Sequence, residues 1–200
     1  MATALRKTGI DPVGDMPWGT HFCHFYDLKD DLVETLVPYF RAGLNSKEFC
    51  LWVVSDLTKQ EAMNAMREAV PDLERHLADG SMEFILDRDW YIDGGMPALG
   101  RVLRGWNEKL TLALNRGYAG MRATGNTLWL EKKDWNDFNA YEQELNGSIA
   151  NRPMTCLCSY PVAASGAAEV LDVVHTHQFT VARRKGIWQV LETPELGEAK

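Results

Sequence analysis

Residues 21–44, HFCHFYDLKDDLVETLVPYFRAGL, decide how the rest of the chain is read. The first six, His21 to Tyr26, form a short aromatic run that suits a strand. Leu28, Leu32, Leu36, Tyr39 and Phe40 then recur at helical spacing. Asp27 is placed to cap that helix, Asp30 and Asp31 fall in a first turn where the helix dipole favours negative charge, and Gly43 marks the far end. A strand running straight into an amphipathic helix is the first half of a βα unit.

The same alternation continues outward. FCLWVVS (49–55) is a continuous apolar run, and Thr58 leads a helix that extends to Val70, ahead of Pro71. MEFILD (82–87) reads as a strand and the stretch holding Gly94, Gly95 and Pro97 as a loop. ALGRVLRGWNEKLTLALNRG (98–117) carries one apolar stripe of Leu99, Val102, Leu103, Trp106, Leu110 and Leu114. GMRATG (120–125) is strand-like, 135–146 helical, and TCLCSYP (155–161) a strand closed by proline. Residues 167–175 read as a helix, and FTVARRKGIWQVLE (179–192) as two strands around a turn at Lys185 and Gly186. Strands apolar on both faces, alternating with helices, predict a mainly parallel sheet covered on both sides, an α/β three-layer sandwich.

The chain has 200 residues, enough for one well-filled core. Residues 1–19, with Gly9, Pro12, Gly14, Pro17 and Gly19, read as a surface lead-in, 20–193 as a single domain, and 194–200 as a frayed tail. A formal net charge of −7 argues against a surface built to neutralise phosphates, so no direct nucleic-acid contact is expected. No uninterrupted apolar run has the length of a membrane span, and the N-terminus lacks the apolar segment of a secretory signal, so a cytoplasmic protein is expected. Cys23, Cys50, Cys156 and Cys158 sit in apolar runs and read as small core residues in a reducing compartment.

In open parallel sheets, ligands bind beyond the carboxyl ends of the strands, where loops diverge and helix N-termini point free N–H groups outward. That rule selects Tyr26 and Asp27, Ser55 and Asp56, Thr124 and Asn126, and Tyr160, with Trp129 and Glu131 close behind. The first strand–helix junction would hold the phosphate loop of a nucleotide-binding protein. Here it has neither glycine nor a Lys-Ser/Thr pair, and its aspartates would repel polyphosphate.

The stretches GDMPWGTHFCHFYDLKDDLVETLVPYFRAGLNSKEFCLWVVSD (14–56), TGNTLWLEKKDWNDFNAYEQELN (124–146) and CLCSYP (156–161) closely resemble the MEDS family, the methanogen/methylotroph DcmR sensory domain. The likeness extends to HQF (177–179) and GIWQV (186–190). It implies a relative of the RecA-like KaiC fold without its phosphate loop, in agreement with the aspartate-rich junction. It also implies a sensor of small hydrocarbon derivatives, one-carbon compounds among them, joined to transcriptional regulators or histidine kinases. With no DNA-binding or kinase segment in this sequence, the signal is expected to pass to such a partner in trans; a homodimer is a further expectation.

The residues expected to meet a small organic ligand are His21, Cys23, Tyr26, Ser55, Thr124, Asn126, Trp129, Glu131 and Tyr160. His21 offers an imidazole that both donates and accepts, and the tyrosines offer hydroxyls over aromatic faces. Thr124 and Asn126 place hydrogen-bonding groups beside Trp129; the competing reading is a turn capped by those side chains. Glu131, next to Lys132 and Lys133, is also explained as a solvated charge run. His21 and Cys23 would gather around Zn²⁺ or ligate haem with Cys156 and Cys158 if their strands adjoined, but the spacing matches no zinc ribbon, so these residues read as packing, with no metal and no cofactor assigned. Catalysis by Cys23 with His21, or by Glu131 with a strand-end aspartate, has no motif behind it, and no enzyme is expected. His175 and His177 are explained by the helix dipole, and His76 reads as surface.

Overall fold

The computed structural model describes residues 5–192. β1 (Leu5–Lys7) and β2 (Asp15–Pro17) form a small ribbon, and β3 (His21–Tyr26) leads into α1 (Lys29–Asn45). β4 (Phe49–Val54) is followed by α2 (Lys59–Ala69) and α3 (Leu73–Ala78). β5 (Met82–Leu86) precedes the short α4 (Asp87–Tyr91) and the two-residue strands β6 (Ile92–Asp93) and β7 (Met96–Pro97). Then come α5 (Leu99–Asn115), β8 (Met121–Asn126), α6 (Trp135–Ile149), β9 (Met154–Pro161), α7 (Ala167–Thr176), β10 (Phe179–Arg184) and β11 (Ile187–Glu192).

Seven strands make one sheet in the order β11-β10-β3-β9-β8-β4-β5. Every neighbouring pair is parallel except β10 and β11, joined by the turn at Lys185 and Gly186, both with positive φ. One face carries α1, α2 and α3, packing Leu32, Leu36, Phe40 and Met66 on Phe22, Trp52 and Leu157. The other carries α4 to α7, packing Trp90, Trp106, Leu110, Phe138 and Tyr141 on Leu51, Ala123, Cys156 and Cys158. The three-layer parallel sandwich expected from the sequence is the one observed. Among the described residues no helix is long and apolar enough to cross a membrane.

Local expectations needed correction where long-range contacts override local pattern. Residues 5–17 are not a surface lead-in: Ile10 and Met16 are core residues. Buried Arg122, on β8, donates to the carbonyls of Lys7 (2.9 Å), Thr8 (3.2 Å) and Tyr39 (2.7 Å) and pairs with buried Glu48 at 2.7 Å. Gly9, with φ +79°, lies so close to the chain at Pro38 that a Cβ would come within 2.2 Å of its carbonyl oxygen. Residues 1–4 of the predicted lead-in and the tail 194–200 lie outside the described residues.

The cap of α1 is Leu28 and not Asp27, and Asp31 reaches back to the Leu28 amide at 3.2 Å. By contrast Thr58 caps α2 as expected: its hydroxyl accepts from the Glu61 amide while Glu61 accepts from the Thr58 amide. His76 is buried, with Nδ1 2.7 Å from Ser81 Oγ, and not on the surface. The stretch around Gly94 and Gly95 contains the β6–β7 hairpin and not a plain loop.

Candidate functional site

β3 and β9 are adjacent and parallel, with His21 beside Cys156 and Cys23 beside Cys158. Side chains alternate between faces along each strand, so His21, Cys23 and Phe25 share the α6 side of the sheet with Cys156, Cys158 and Tyr160. Glu142 descends on this row from α6, and His177 enters from the residue that ends α7. The donor atoms of His21, Glu142, Cys158 and His177 all lie within 4.8 Å of one another, and all four residues are buried.

Glu142 Oε2 is 3.3 Å from Nε2 of both His21 and His177, and His21 Nε2 is 3.3 Å from Cys158 Sγ. Neither Glu142 Oε2 nor His177 Nε2 has a hydrogen-bond partner. Bonds of about 2.0–2.3 Å from a tetrahedral zinc ion to N, O and S donors imply donor–donor edges of about 3.3–3.8 Å. Three of the six donor pairs thus stand at the edge length of a coordination tetrahedron, longer than charge-assisted hydrogen bonds, and all six lie within 4.8 Å. His177 Nδ1 donates to the Val173 carbonyl at 2.7 Å, which leaves Nε2 free to act as a ligand.

Without an ion, a protonated His177, its pKa raised to about 10, balances the ionised Glu142 carboxylate beside it. Burial disfavours a charged His177, yet the Cys158 thiol and the Glu142 carboxylate raise its pKa. Burial and the neighbouring His177 lower that of His21. Against the cost of burial, the two imidazoles hold the Glu142 carboxyl below the usual range. Neighbouring Cys156 and burial push the Cys158 thiol well up. A divalent ion would neutralise one carboxylate and one thiolate, while both imidazoles stay neutral. That is the balanced charge a dry interior tolerates.

The predicted ligand residues do not form one site, because the sheet divides them. His21 belongs to the cluster. Cys23 faces the same side but pairs with Thr180 Oγ1 at 3.1 Å. Tyr160 stands edge-on to His177, with ring centroids 5.9 Å apart, and its hydroxyl has no partner. On the opposite face Tyr26 donates to Asp56 at 3.2 Å, Thr124 Oγ1 accepts from the Val53 amide, and Asn126 Nδ2 donates to the Val53 carbonyl. Ser55 is buried at the end of β4 with an unpartnered hydroxyl. Trp129 stacks on Tyr91 at 4.4 Å and donates to the Asn126 carbonyl, whereas Glu131 is exposed and pairs with Lys133. Glu142 and His177 were not singled out from the sequence. The HQF segment held His177, but EQELN reads as the solvated face of a helix.

At the β3–α1 junction the backbone N–H groups of Leu28, Lys185 and Gly186 all donate to Asp31. Although burial opposes its ionisation, these three donors and Arg183 hold the Asp31 carboxyl below its usual range. An internal carboxylate therefore takes the donors that a bound phosphate would use.

A parallel sheet layered by helices, with an acidic residue where a phosphate loop would be, defines a RecA-like α/β fold. A KaiC-like protein from the hyperthermophilic archaeon Pyrococcus horikoshii OT3 superimposes with a TM-score of 0.68 at 12% identity, over 96% of this chain and 90% of that one. Residues 20–178 match the model of the MEDS family, the MEthanogen/methylotroph, DcmR Sensory domain. The chain belongs to that family. It is 27% identical over 173 residues to the transcriptional repressor DcmR of Methylorubrum extorquens (strain DSM 6343 / CIP 106787 / DM4), a match spanning 83% of this chain and 61% of the repressor. A 121-residue stretch is 30% identical to the carboxypeptidase Y homolog A of Pyrenophora tritici-repentis (strain Pt-1C-BFP), 53% of this chain and 21% of that protein.

Proposed function

We propose that this sensory domain detects a small organic molecule at a metal centre held by His21, Glu142, Cys158 and His177, and reports it to a protein partner that controls transcription. The observation that carries this reading is the convergence of four buried donors within 4.8 Å of one another, two of them without a hydrogen-bond partner. Two imidazoles, a thiolate and a carboxylate match zinc best; with all four in place the ion would be coordinatively filled, so an oxygen-bearing or halogen-bearing ligand would reach it by displacing one of them. Around the cluster Phe25, Tyr91, Trp129, Phe138 and Tyr160 form an aromatic wall, and the free Tyr160 hydroxyl supplies a single polar contact. That lining suits a small ligand with an apolar body. Four protein donors drawn this close leave no space for a porphyrin, so haem is set aside.

Binding rather than catalysis is the reading that fits the side chains. The Cys158 thiol is buried and its pKa raised, the reverse of an activated nucleophile. Cys23 is engaged by Thr180, and exposed Glu131 is engaged by Lys133. The relative named as a transcriptional repressor supports an output to transcription through a regulator or a histidine kinase, and the charge of −7 favours an output that passes through protein and not through direct DNA contact. The test is elemental analysis of the purified protein beside Glu142→Gln and Cys158→Ser. One divalent ion per chain, lost in both folded variants, is the expected result. Full metal content in both variants would remove the cluster from the account.

A further inference from the structure

The α1 face of the sheet carries a second constellation that has no part in the metal centre. His24, Ser159 and Asn126 stand side by side on β3, β9 and β8, since His24 is in register with Ser159 and Asn126 with Ser159. In the preceding row on this face the same three strands carry Phe22, Leu157 and Thr124. His24 is wholly buried, Ser159 is 3% exposed and Asn126 7%. His24 Nδ1, Ser159 Oγ and Asn126 Oδ1 nevertheless have no hydrogen-bond partner. Native interiors seldom leave such atoms unpaired, and three in one row call for a partner of complementary chemistry.

The surroundings specify its chemistry. The Thr35 hydroxyl has one proton and gives it to the Asp31 carbonyl at 2.7 Å, so at 3.2 Å it accepts from His24 Nε2–H. That fixes the tautomer and leaves His24 Nδ1 as a bare acceptor. Asn126 donates through Nδ2 to the Val53 carbonyl, so its free Oδ1 is a second acceptor. Ser159 can accept or donate. Burial also keeps His24 neutral, with its pKa lowered to about 3. At the start of α1 the Leu28 amide is already taken by the Asp31 carboxylate, whose own charge would repel an anion. The rings of Tyr26 and Trp188 lie 5.9 Å and 6.0 Å from that of His24 and supply an apolar border.

We propose that His24, Ser159 and Asn126 form a second ligand site, on the sheet face opposite the metal cluster, for a small uncharged molecule that donates hydrogen bonds, such as an alcohol or a primary amide. Acceptor-only molecules of the same size are rejected because they would leave two buried acceptors facing a third. The site does not depend on the metal reading.

The probes are formamide and ethanol as donors, with acetonitrile and dimethylformamide as acceptor-only controls, titrated into the ¹⁵N-labelled protein. Expected are saturable shifts of the His24 ring nitrogens and of the Ser159 and Asn126 amides with the donors alone, with metal content unchanged. Ser159→Ala should weaken that binding about tenfold, as the loss of one hydrogen bond. If this variant fails to fold, the contrast between donor and acceptor probes in the wild type still decides. Linear, unsaturated shifts that are the same for all four probes would overturn the site, as would a crystal structure in formamide with only water against His24 Nδ1.

Discussion

Nδ1 of His177 donates to the Val173 carbonyl at 2.7 Å, one helical turn back along the chain, and this contact turns Nε2 toward Glu142, 3.3 Å away. The last turn of α7 thereby fixes the position of an imidazole whose three neighbours in the cluster come from β3, α6 and β9.

If the cluster holds a metal, the ion ties α6 and the end of α7 to the paired strands β3 and β9. Chelation should lower stability by about 4 kcal/mol relative to protein kept at free metal about a thousandfold above Kd. In a chain of 200 residues that is about 10 °C in Tm. Thermal scans with and without chelator measure it, and His177→Ala should already melt at the lower temperature and respond to neither treatment.

Gly125 lies against the cluster from β8. A Cβ there would stand 2.8 Å from the Tyr91 hydroxyl and 3.1 Å from Cys158 Sγ. Gly125→Ala should therefore displace the sulfur, lower metal affinity and cost about 1–3 kcal/mol of stability through overpacking. Competition against a chromophoric chelator reads the affinity, and an unchanged affinity with normal stability would show that Cys158 has room to move.

The Arg122–Glu48 pair anchors residues 5–17 to the sheet and is unrelated to metal binding. Arg122→Met leaves buried Glu48 with Arg6 as its remaining cationic partner and removes the donor to the Lys7, Thr8 and Tyr39 carbonyls, and should destabilise by about 3–5 kcal/mol. The double variant with Glu48→Gln should recover part of this loss, as denaturant unfolding would show. Hydrogen exchange should rise first at Thr8 and Ile10, next to the carbonyls that Arg122 holds.

His24 gives the fold an acid limit. Its pKa falls from the ordinary 6.5 to about 3, chiefly through burial, with Asp31 opposing and Arg183 assisting. The stabilisation from keeping it neutral is complete above its unfolded pKa and is lost as pH falls from about 6.5 toward about 3, with a slope of up to about 1.4 kcal/mol per pH unit. His24→Gln should flatten the stability profile in that window. An unchanged acid limb would assign acid sensitivity to other groups.

The fold was legible because each strand and helix states its own period: 21–26 is a short aromatic run, 49–54 an unbroken apolar one, and the stripe from Leu99 to Leu110 has helical spacing. Strand order is not a local property, and so the adjacency of β3 and β9, which sets His21 near Cys158, could only be posed as a condition. Glu142 was hidden for a related reason. A glutamate among Gln143, Glu144 and Asn146 has the composition of a solvent face, and only the packing of Tyr141 and Leu145 shows which way that helix turns. His177 was explained too early by a helix-end dipole. Residues 5–17 looked like surface because glycine and proline mark turns, while their anchor, Arg122, lies more than a hundred residues downstream.

The central claim is tested most directly by loading the metal-free protein with cobalt(II) and recording its absorption spectrum. A tetrahedral site with one thiolate predicts strong visible ligand-field bands, a sulfur-to-cobalt charge-transfer band that disappears in Cys158→Ser, and saturation at one equivalent. Weak octahedral absorption that grows without saturation and is the same in the variant would contradict a metal centre at His21, Glu142, Cys158 and His177.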